Sequence, residues 1–265
     1  INESAFERVQ TDNGIELKKS PKIIGKKAFY KANEGVTTYN GRVYIHLDKT
    51  GLVDTMTIGD SAFMDARGYI YDTSPYDMKI TKIGNDAFNR PNISLGNLRF
   101  SSFVDSIGER AFANTHSNSK IEFPEGKDIH IGKSAFSEIK GHVSLDFYDG
   151  ITHIPDSICF NSSSDSWPYI TFISCYSLKS IGNSAFRNCM RLGGTLYENL
   201  DSIGDYAFSN ILSWVSCKFT HIPQYIGTGV CSGSAIRNFD LPKVGFTEIP
   251  DYLFYRCEWF DRSSE

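Results

Sequence analysis

The chain has 265 residues, of which 22% are charged and 40% apolar, and its net charge is -4. This composition is typical of a soluble globular protein, and the negative charge argues against a nucleic acid or an anionic membrane surface as the partner. No apolar run approaches the roughly 18 residues that a transmembrane helix needs. The chain opens at Ile1 without an initiator methionine or an apolar leader, so we expect a processed or trimmed product.

A short motif, clearest as Ile-Gly-x-x-Ala-Phe, recurs from one end of the chain to the other. A degenerate copy opens the chain at Ile1, and full copies start at residues 24, 58, 83, 107, 131, 154, 181, 203, 222 and 249. Most spacings lie near 24 residues, with a long one of 34 after residue 24 and a short one of 19 before residue 222. A period of this size is typical of a solenoid, so we predict one repeat domain of about eleven copies over residues 1–265.

Numbering the columns from the isoleucine as column 0 separates buried from exposed positions. Column 5 is mostly phenylalanine, and an apolar residue usually stands three positions before the isoleucine, whereas columns 2 and 3 are almost wholly polar or tyrosine. Each copy therefore has one apolar face to bury against its neighbours, and none is expected to fold alone.

Column 1 is glycine in seven full copies and proline at Pro155, Pro223 and Pro250. Because proline has no N–H, this column is not an anion-binding loop, and we place it at the first residue of a short helical turn. Ser184, in column 3, shares its position with lysine, aspartate, arginine and tyrosine in other copies. Such a column is an exposed face and does not fit a catalytic nucleophile.

Between the motifs lie β-rich stretches that alternate apolar and polar residues. Strands are predicted at 42–47, 97–100, 120–123, 142–147, 168–173, 214–219 and 237–241. Each copy then consists of a strand, a bend and a helical turn, which makes the chain an α/β repeat solenoid. The last copy has no following repeat, so we expect residues 258–265 to cap its apolar edge, through Trp259 and Phe260 unless a partner or further residues cover it.

The pattern in "LKSIGNSAFRNC", residues 178–189, resembles the BspA-like class of leucine-rich repeats, and "YLFYRC" at 252–257 echoes it. This resemblance covers essentially the whole chain and implies a curved, right-handed leucine-rich-repeat superhelix. Family members are typically surface or secreted proteins of anaerobic gut and oral bacteria and of some protozoan parasites. They are associated with adhesion to host matrix proteins or to other cells.

All six cysteines lie beyond residue 158. Cys189 and Cys257 stand in column 8, which elsewhere holds Ala32, Ala66, Ile139 and Ile211, so we interpret them as packed, reduced thiols. The even number leaves disulfides open for an exported protein. No metal-type spacing is present, so no cofactor is expected.

His130 and His153 precede the isoleucine in successive copies, so a ladder would place them roughly 5 Å apart. A surface metal site or a pH-responsive patch follows as an alternative. The same column elsewhere holds ordinary exposed residues, and we favour that interpretation.

Aromatic residues outside the repeat columns are the candidate binding surface, because tyrosine and tryptophan concentrate binding energy. The candidates are Trp167, Tyr169, Tyr176, Tyr197 and Trp214. The irregular segments 30–57 and 161–169 are the expected positions of specificity loops. The alternative is that these tyrosines simply cap strand ends.

The sequence thus predicts a non-enzymatic, extracellular or cell-surface protein that binds a protein or glycan on a host or neighbouring cell. The alternatives are a scaffold or spacer segment of a larger surface protein, and a glycan-binding module. An enzyme is disfavoured because no nonrepeating acid/base pair or nucleophile stands out.

Overall fold

The computed structural model describes residues 1–17, 21–37, 43–46, 55–71, 79–90, 92–95, 98–115, 119–140, 143–162, 169–173, 175–190, 192–194, 199–212, 215–219, 221–240 and 248–259. In chain order the strands are β1 (Ile15–Leu17), β2 (Ile23–Ile24), β3 (Val43–His46), β4 (Met56–Ile58), β5 (Arg67–Tyr71), β6 (Ile80–Ile83), β7 (Asn92–Leu95), β8 (Leu98–Arg99), β9 (Ser106–Ile107), β10 (Ser119–Glu122), β11 (His130–Ile131), β12 (Val143–Tyr148), β13 (His153–Ile154), β14 (Tyr169–Ile173), β15 (Ser180–Ile181), β16 (Leu192–Gly194), β17 (Ser202–Ile203), β18 (Val215–Lys218), β19 (Tyr225–Ile226), β20 (Ala235–Asp240) and β21 (Glu258–Trp259).

All the strand pairs are parallel, and together they form two rows along a β-solenoid. The first row, which we call the long row, contains the sheets β1-β3-β5-β7, β16-β14-β12-β10-β8 and β18-β20-β21. The second, the motif row, contains β11-β9-β6-β4-β2 and β13-β15-β17-β19. The predicted strands of the long row are confirmed, while the prediction overlooked that the repeated motif itself begins with a strand. We call one circuit of the chain, with its motif, a coil.

In-register stacking buries the apolar columns. Ile83, Ile107 and Ile131 pair as neighbours in the motif row and are at most 4% exposed. The column 5 rings stack along the solenoid with centroid separations of 5.0–5.2 Å from Phe6 through Phe29, Phe63, Phe88 and Phe112 to Phe136. The core is therefore a continuous stack, and each coil completes the packing of its neighbours.

The predicted helical turn is wrong: no helix is present among the described residues, and the motif continues as consecutive β-turns. In the coil that starts at Ile24, the N–H groups of Ala28, Tyr30 and Ala32 each bond the carbonyl three residues earlier. Lys27 and Lys31 adopt φ values of +53° and +54°, and the same two columns are left-handed in the other coils. A left-handed residue every fourth position prevents a right-handed helix.

The remaining N–H groups of these turns explain why the chain accepts that strain. Those of Lys27, Phe29 and Lys31 bond Asp60, Ala62 and Met64 of the next coil at 2.7–2.9 Å. Alternate amides thus bond within the coil and to its neighbour, so the turns form a hydrogen-bonded wall of their own. Column 3, interpreted as merely exposed, is one of the two left-handed columns, and Ser184 is half-buried with φ +52°.

The glycines of column 1 are required by the close approach of successive coils. A Cβ on Gly108 would lie 2.5 Å from the amide nitrogen of Asn85. The Gly108 N–H also bonds the carbonyl of Ile83 at 2.8 Å, and Gly182 bonds Ile154 in the same way. Pro155 cannot donate this bond to Ile131, and the motif row is interrupted there, between β11 and β13.

The short spacing before residue 222 is an error of alignment. The Gly227 N–H bonds the Ile203 carbonyl and the Phe208 N–H bonds the Val230 carbonyl, as their equivalents do in the preceding coils. Column 0 is therefore Ile226, not Ile222, and the intervals Ile203–Ile226 and Ile226–Ile249 are both 23 residues. In the copy at residue 154 column 0 stays at Ile154, but Cys159 takes the phenylalanine column, and Phe160 lies one column later and is only half-buried.

Column 8, interpreted as apolar, also contains side chains that donate hydrogen bonds. The hydroxyl of Ser162 donates to the Phe136 carbonyl at 2.9 Å and accepts from the Ile139 N–H at 3.3 Å. The Ser234 hydroxyl bonds Phe208 and Ile211 of the preceding coil in the same way. The column therefore bridges backbone groups that the turns leave without partners.

Replacing Ser162 with alanine is expected to lower the free energy of unfolding by about 2 kcal/mol, because two buried backbone groups lose their shared partner. Ser162→Thr should cost less, since Thr115 fills this column elsewhere and its hydroxyl donates to the Phe88 carbonyl of the preceding coil at 3.4 Å. Urea denaturation of both variants measures the difference. A loss below about 0.5 kcal/mol for Ser162→Ala would show that the bridge contributes nothing.

The C-terminal cap is described in part. Glu258 and Trp259 pair in parallel with Ala235 and Ile236 of β20, so Trp259 lies in the long row. Phe260 and the residues after it lie outside the described part of the chain. The solenoid's curvature and hand stay predictions, as does the single-domain division over 1–265.

Candidate functional site

An open groove of about 610 Å³ crosses the motif row where its strands β6, β9, β11 and β13 follow one another. One wall is the column just before the isoleucine, with Lys82, Ser106, His130 and His153. The other wall is column 2, with Asp60, Asn85, Glu109, Lys133 and Asp156. We call this surface the motif groove.

Column 2 aspartates and asparagines hold the wall of the motif groove in place. The Asp60 carboxylate accepts the Asn85 N–H at 2.8 Å, and the Asn85 side chain accepts the Glu109 N–H at 2.8 Å. The Asp156 carboxylate continues the pattern with Asn183 at 2.7 Å. These side chains are hydrogen-bonded to backbone N–H groups, so they shape the groove and stiffen its edge.

The exposed charges of the groove are of both signs. Lys82 and Lys133 are exposed, as is Glu109 between them along the row, and both histidines are exposed. The groove therefore presents charges of opposite sign within a few coils of one another.

Pro155 gives the groove one position unlike the others. The interruption of the motif row lies beside His130 and His153, and no N–H of Pro155 reaches the Ile131 carbonyl. The regular row of backbone bonds stops there, within the groove, and resumes at β15.

The ladder that the histidine alternative assumed is interrupted between His130 and His153, because β11 and β13 belong to different sheets. His130 lies opposite Ser106 in β9, and His153 lies opposite Ser180 in β15, whose hydroxyl is hydrogen-bonded to Nδ1 of His153. Both line the groove, on opposite sides of the interruption. The described residues contain no group of three potential metal ligands.

Of the five aromatic candidates, the structure describes Tyr176 and the backbone of Tyr169. Tyr176 is 49% exposed, and its carbonyl accepts a hydrogen bond from Asn199, but it does not line the motif groove. Tyr169 begins β14 and lies opposite Ser144 in β12, in the long row. Trp167, Tyr197 and Trp214 lie outside the described residues.

Apart from His130 and His153, sequence reasoning missed the residues of the groove because their columns looked like ordinary polar surface. The signal was available in the pattern: polar residues flank the Ile-Gly pair on both sides in successive copies, so stacking must align them in two rows. The depth of the groove depends on the glycines of column 1, which have no side chain to fill the space between the two rows.

The specificity segments predicted from sequence are only partly described. Residues 38–42, 47–54 and 163–168 lie outside the described part of the chain. No helix able to span a membrane occurs in the described ranges.

Comparison with protein families gives one match. The model of the BspA type leucine-rich repeat region matches residues 56–193 and 163–261, with six copies. Comparison with the curated proteins and with the solved structures finds no match. The two matched ranges cover most of the chain, and the chain belongs to the family of BspA-type leucine-rich-repeat proteins.

Proposed function

We propose that the chain is a non-enzymatic binding module, exposed on a cell surface or secreted, whose motif groove holds a protein ligand on the host matrix or on a neighbouring cell. The observation that carries the proposal is the groove itself, an aligned and stiffened surface with exposed charges of both signs. Repeat solenoids of this kind typically act as protein-binding scaffolds.

The chemistry of the groove favours a protein over a glycan. Lys82, Lys133 and Glu109 offer partners for charged side chains, and mixed charge matches a folded or extended polypeptide. Sugar rings pack their apolar faces against aromatic side chains, and the described residues that line the groove include no aromatic side chain. Glycan binding therefore depends on other surfaces, and Trp167 and Tyr169 are its candidates.

The repeated character of the site supports binding rather than catalysis. Most wall positions of the groove recur in the next coil with a different side chain, as in Lys82, Ser106 and His130. A catalytic centre requires one unique constellation of nucleophile, base and stabilising donors. A row of interchangeable positions instead suits distributed contacts along a ligand.

Replacing Lys133 with glutamate is expected to weaken binding of the protein ligand about tenfold, corresponding to about 1.4 kcal/mol, through reversal of one groove charge. Lys140→Glu is the matched control: Lys140 is also exposed in the same coil but does not line the groove. Both variants have the same net charge. Binding is measured against a panel of purified extracellular-matrix and cell-surface proteins, with a glycan array run in parallel.

The outcomes separate the alternatives. Equal binding by both variants would move the site away from the groove. Glycan binding that is lost in a Trp167→Ala/Tyr169→Ala variant would favour the glycan-binding module. If the wild type binds nothing in either assay, a scaffold or spacer segment of a larger surface protein is favoured.

A further inference from the structure

Four of the six cysteines occur as two matched pairs in adjacent coils. Among the described coils, column 5 is cysteine instead of phenylalanine only at Cys159 and Cys231. Each is followed, one coil later, by a cysteine in column 8, namely Cys189 and Cys257. Column 8 is cysteine in no other described coil, so the two replacements occur together in both cases.

The two pairs share one geometry. The Cys189 thiol donates to the Cys159 carbonyl at 2.8 Å, and the Cys257 thiol donates to the Cys231 carbonyl at 2.8 Å. Backbone bonds hold the coils of each pair in register: the Cys159 N–H bonds Ala185, and the Cys231 N–H bonds Leu253. Each column 8 thiol thus lies directly against the residue that carries the column 5 thiol.

Packing alone does not explain the pairing. A lost phenyl ring would be compensated by a larger side chain, and column 8 accepts isoleucine at Ile139 and Ile211. The hydrogen bond to the column 5 carbonyl does not require sulfur either, because Ser162 and Ser234 make it with a hydroxyl. What sulfur adds at both positions is the capacity to form a covalent bond.

We propose that Cys159 with Cys189, and Cys231 with Cys257, are two inter-coil disulfide sites that close when the chain meets a small-molecule disulfide oxidant. One thiolate attacks the oxidant, releases one thiol and forms a mixed disulfide. The second thiolate displaces the other thiol and completes the S–S bond. Two protein thiols are oxidised, and the oxidant is reduced to two thiols that take up both protons.

The two sites differ in access. Cys257 is half-buried and lies in the last described coil, whereas Cys159, Cys189 and Cys231 are buried. Burial raises the pKa of Cys257, and it raises that of Cys231 much further, with added contributions from Cys217 and Cys257. Exchange therefore starts at Cys257 in the folded protein, while the Cys159–Cys189 site closes during folding.

The test uses the full chain, reduced and then treated with oxidised glutathione either in the native state or during refolding from urea. After alkylation, peptide mass mapping is expected to find Cys231–Cys257 in both samples and Cys159–Cys189 in the refolded sample alone. The Cys175 thiol also donates to a carbonyl, but the acceptor residue is Phe147 and not a cysteine. Cys175 should therefore stay reduced and be found alkylated. A Cys217–Cys231 link, a persistent glutathione adduct at Cys257, or complete alkylation of all cysteines would each overturn the assignment.

A thermal readout separates the disulfide from loss of packing. Oxidation of the native wild type should raise Tm by roughly 5–10 °C, since the bond closes a loop of about 26 residues. Cys257→Ser keeps a column 8 hydroxyl, as at Ser234, and should lose this shift. Cys175→Ser should retain it, and a shift that survives in Cys257→Ser would refute the Cys231–Cys257 site.

Discussion

Replacing Gly108 with alanine is expected to lower the free energy of unfolding by about 3–5 kcal/mol. The new Cβ would lie 2.5 Å from the Asn85 nitrogen and 2.6 Å from the Gly84 carbonyl carbon, so the two coils must separate. Overpacking of this kind costs about 1–3 kcal/mol, and the separation also strains the bond from the Gly108 N–H to the Ile83 carbonyl. Urea denaturation followed by far-ultraviolet circular dichroism measures the loss.

Gly35→Ala is the matched control for this prediction. Gly35 is exposed, its φ is not in the left-handed region, and the nearest atom to its Cβ position is the Gln10 Oε1 at 3.7 Å. The control should change the stability by no more than about 0.5 kcal/mol. Similar small effects at both glycines would show that the coils do not depend on close backbone approach.

Replacing Phe112 with alanine is expected to cost about 3–5 kcal/mol, because it opens a cavity in the middle of the ring stack. Phe112 is 1% exposed, and its ring lies 5.1 Å from that of Phe88 and 5.2 Å from that of Phe136. Both neighbours lose a stacking partner, so the loss falls on two interfaces between coils.

Phe103 provides the comparison, since 47% of it is exposed and it lies outside the stack. Phe103→Ala should cost less than about 1 kcal/mol in the same urea titration. Amide hydrogen exchange adds a local readout, with faster exchange expected first at the Phe88 and Phe112 amides, which bond Ala111 and Ala135 of the following coils. A Phe112→Ala loss as small as that of Phe103→Ala would mean that the stack is not the stabilising core.

The stack and the ladders of the long row were predictable from sequence because both depend on apolar columns at a regular period. Phe88, Phe112 and Phe136 share a column, and stacking follows once each copy must bury the same face. The family resemblance followed from the same columns.

The turns were not predictable from the same signals. Lysine, serine and arginine rarely adopt a left-handed backbone, so Lys27, Ser61 and Arg110 gave no local sign of one. Proline in column 1 predicted the first residue of a helical turn. In the structure it marks the position where the neighbouring strand loses a backbone hydrogen-bond donor. The structure shows that bonds between coils override local preference, which a single copy of the motif cannot reveal.

The copy at residue 222 shows a second limit. "IPQYIG" contains the isoleucine and proline of the pattern, but "YIGTGV" provides the glycine that the closely packed coil needs. Motif matching weighted the letters equally, whereas backbone register depends on which isoleucine can pair with Ile203. Most groove residues were not predicted for a related reason: their role depends on alignment between coils and not on residue type.

The alternation of amide bonds bears on how such a chain lengthens in evolution. Each coil presents the same donors on one side and the same acceptors on the other, so a tandem duplication of one coil supplies a segment that fits at any regular boundary. A duplicated coil with proline in column 1 would instead split the motif row wherever it was inserted, as Pro155 does. Gains and losses of whole coils are therefore expected among the glycine coils, with the proline coils kept where the motif row is interrupted or ends, at Pro155 and Pro250.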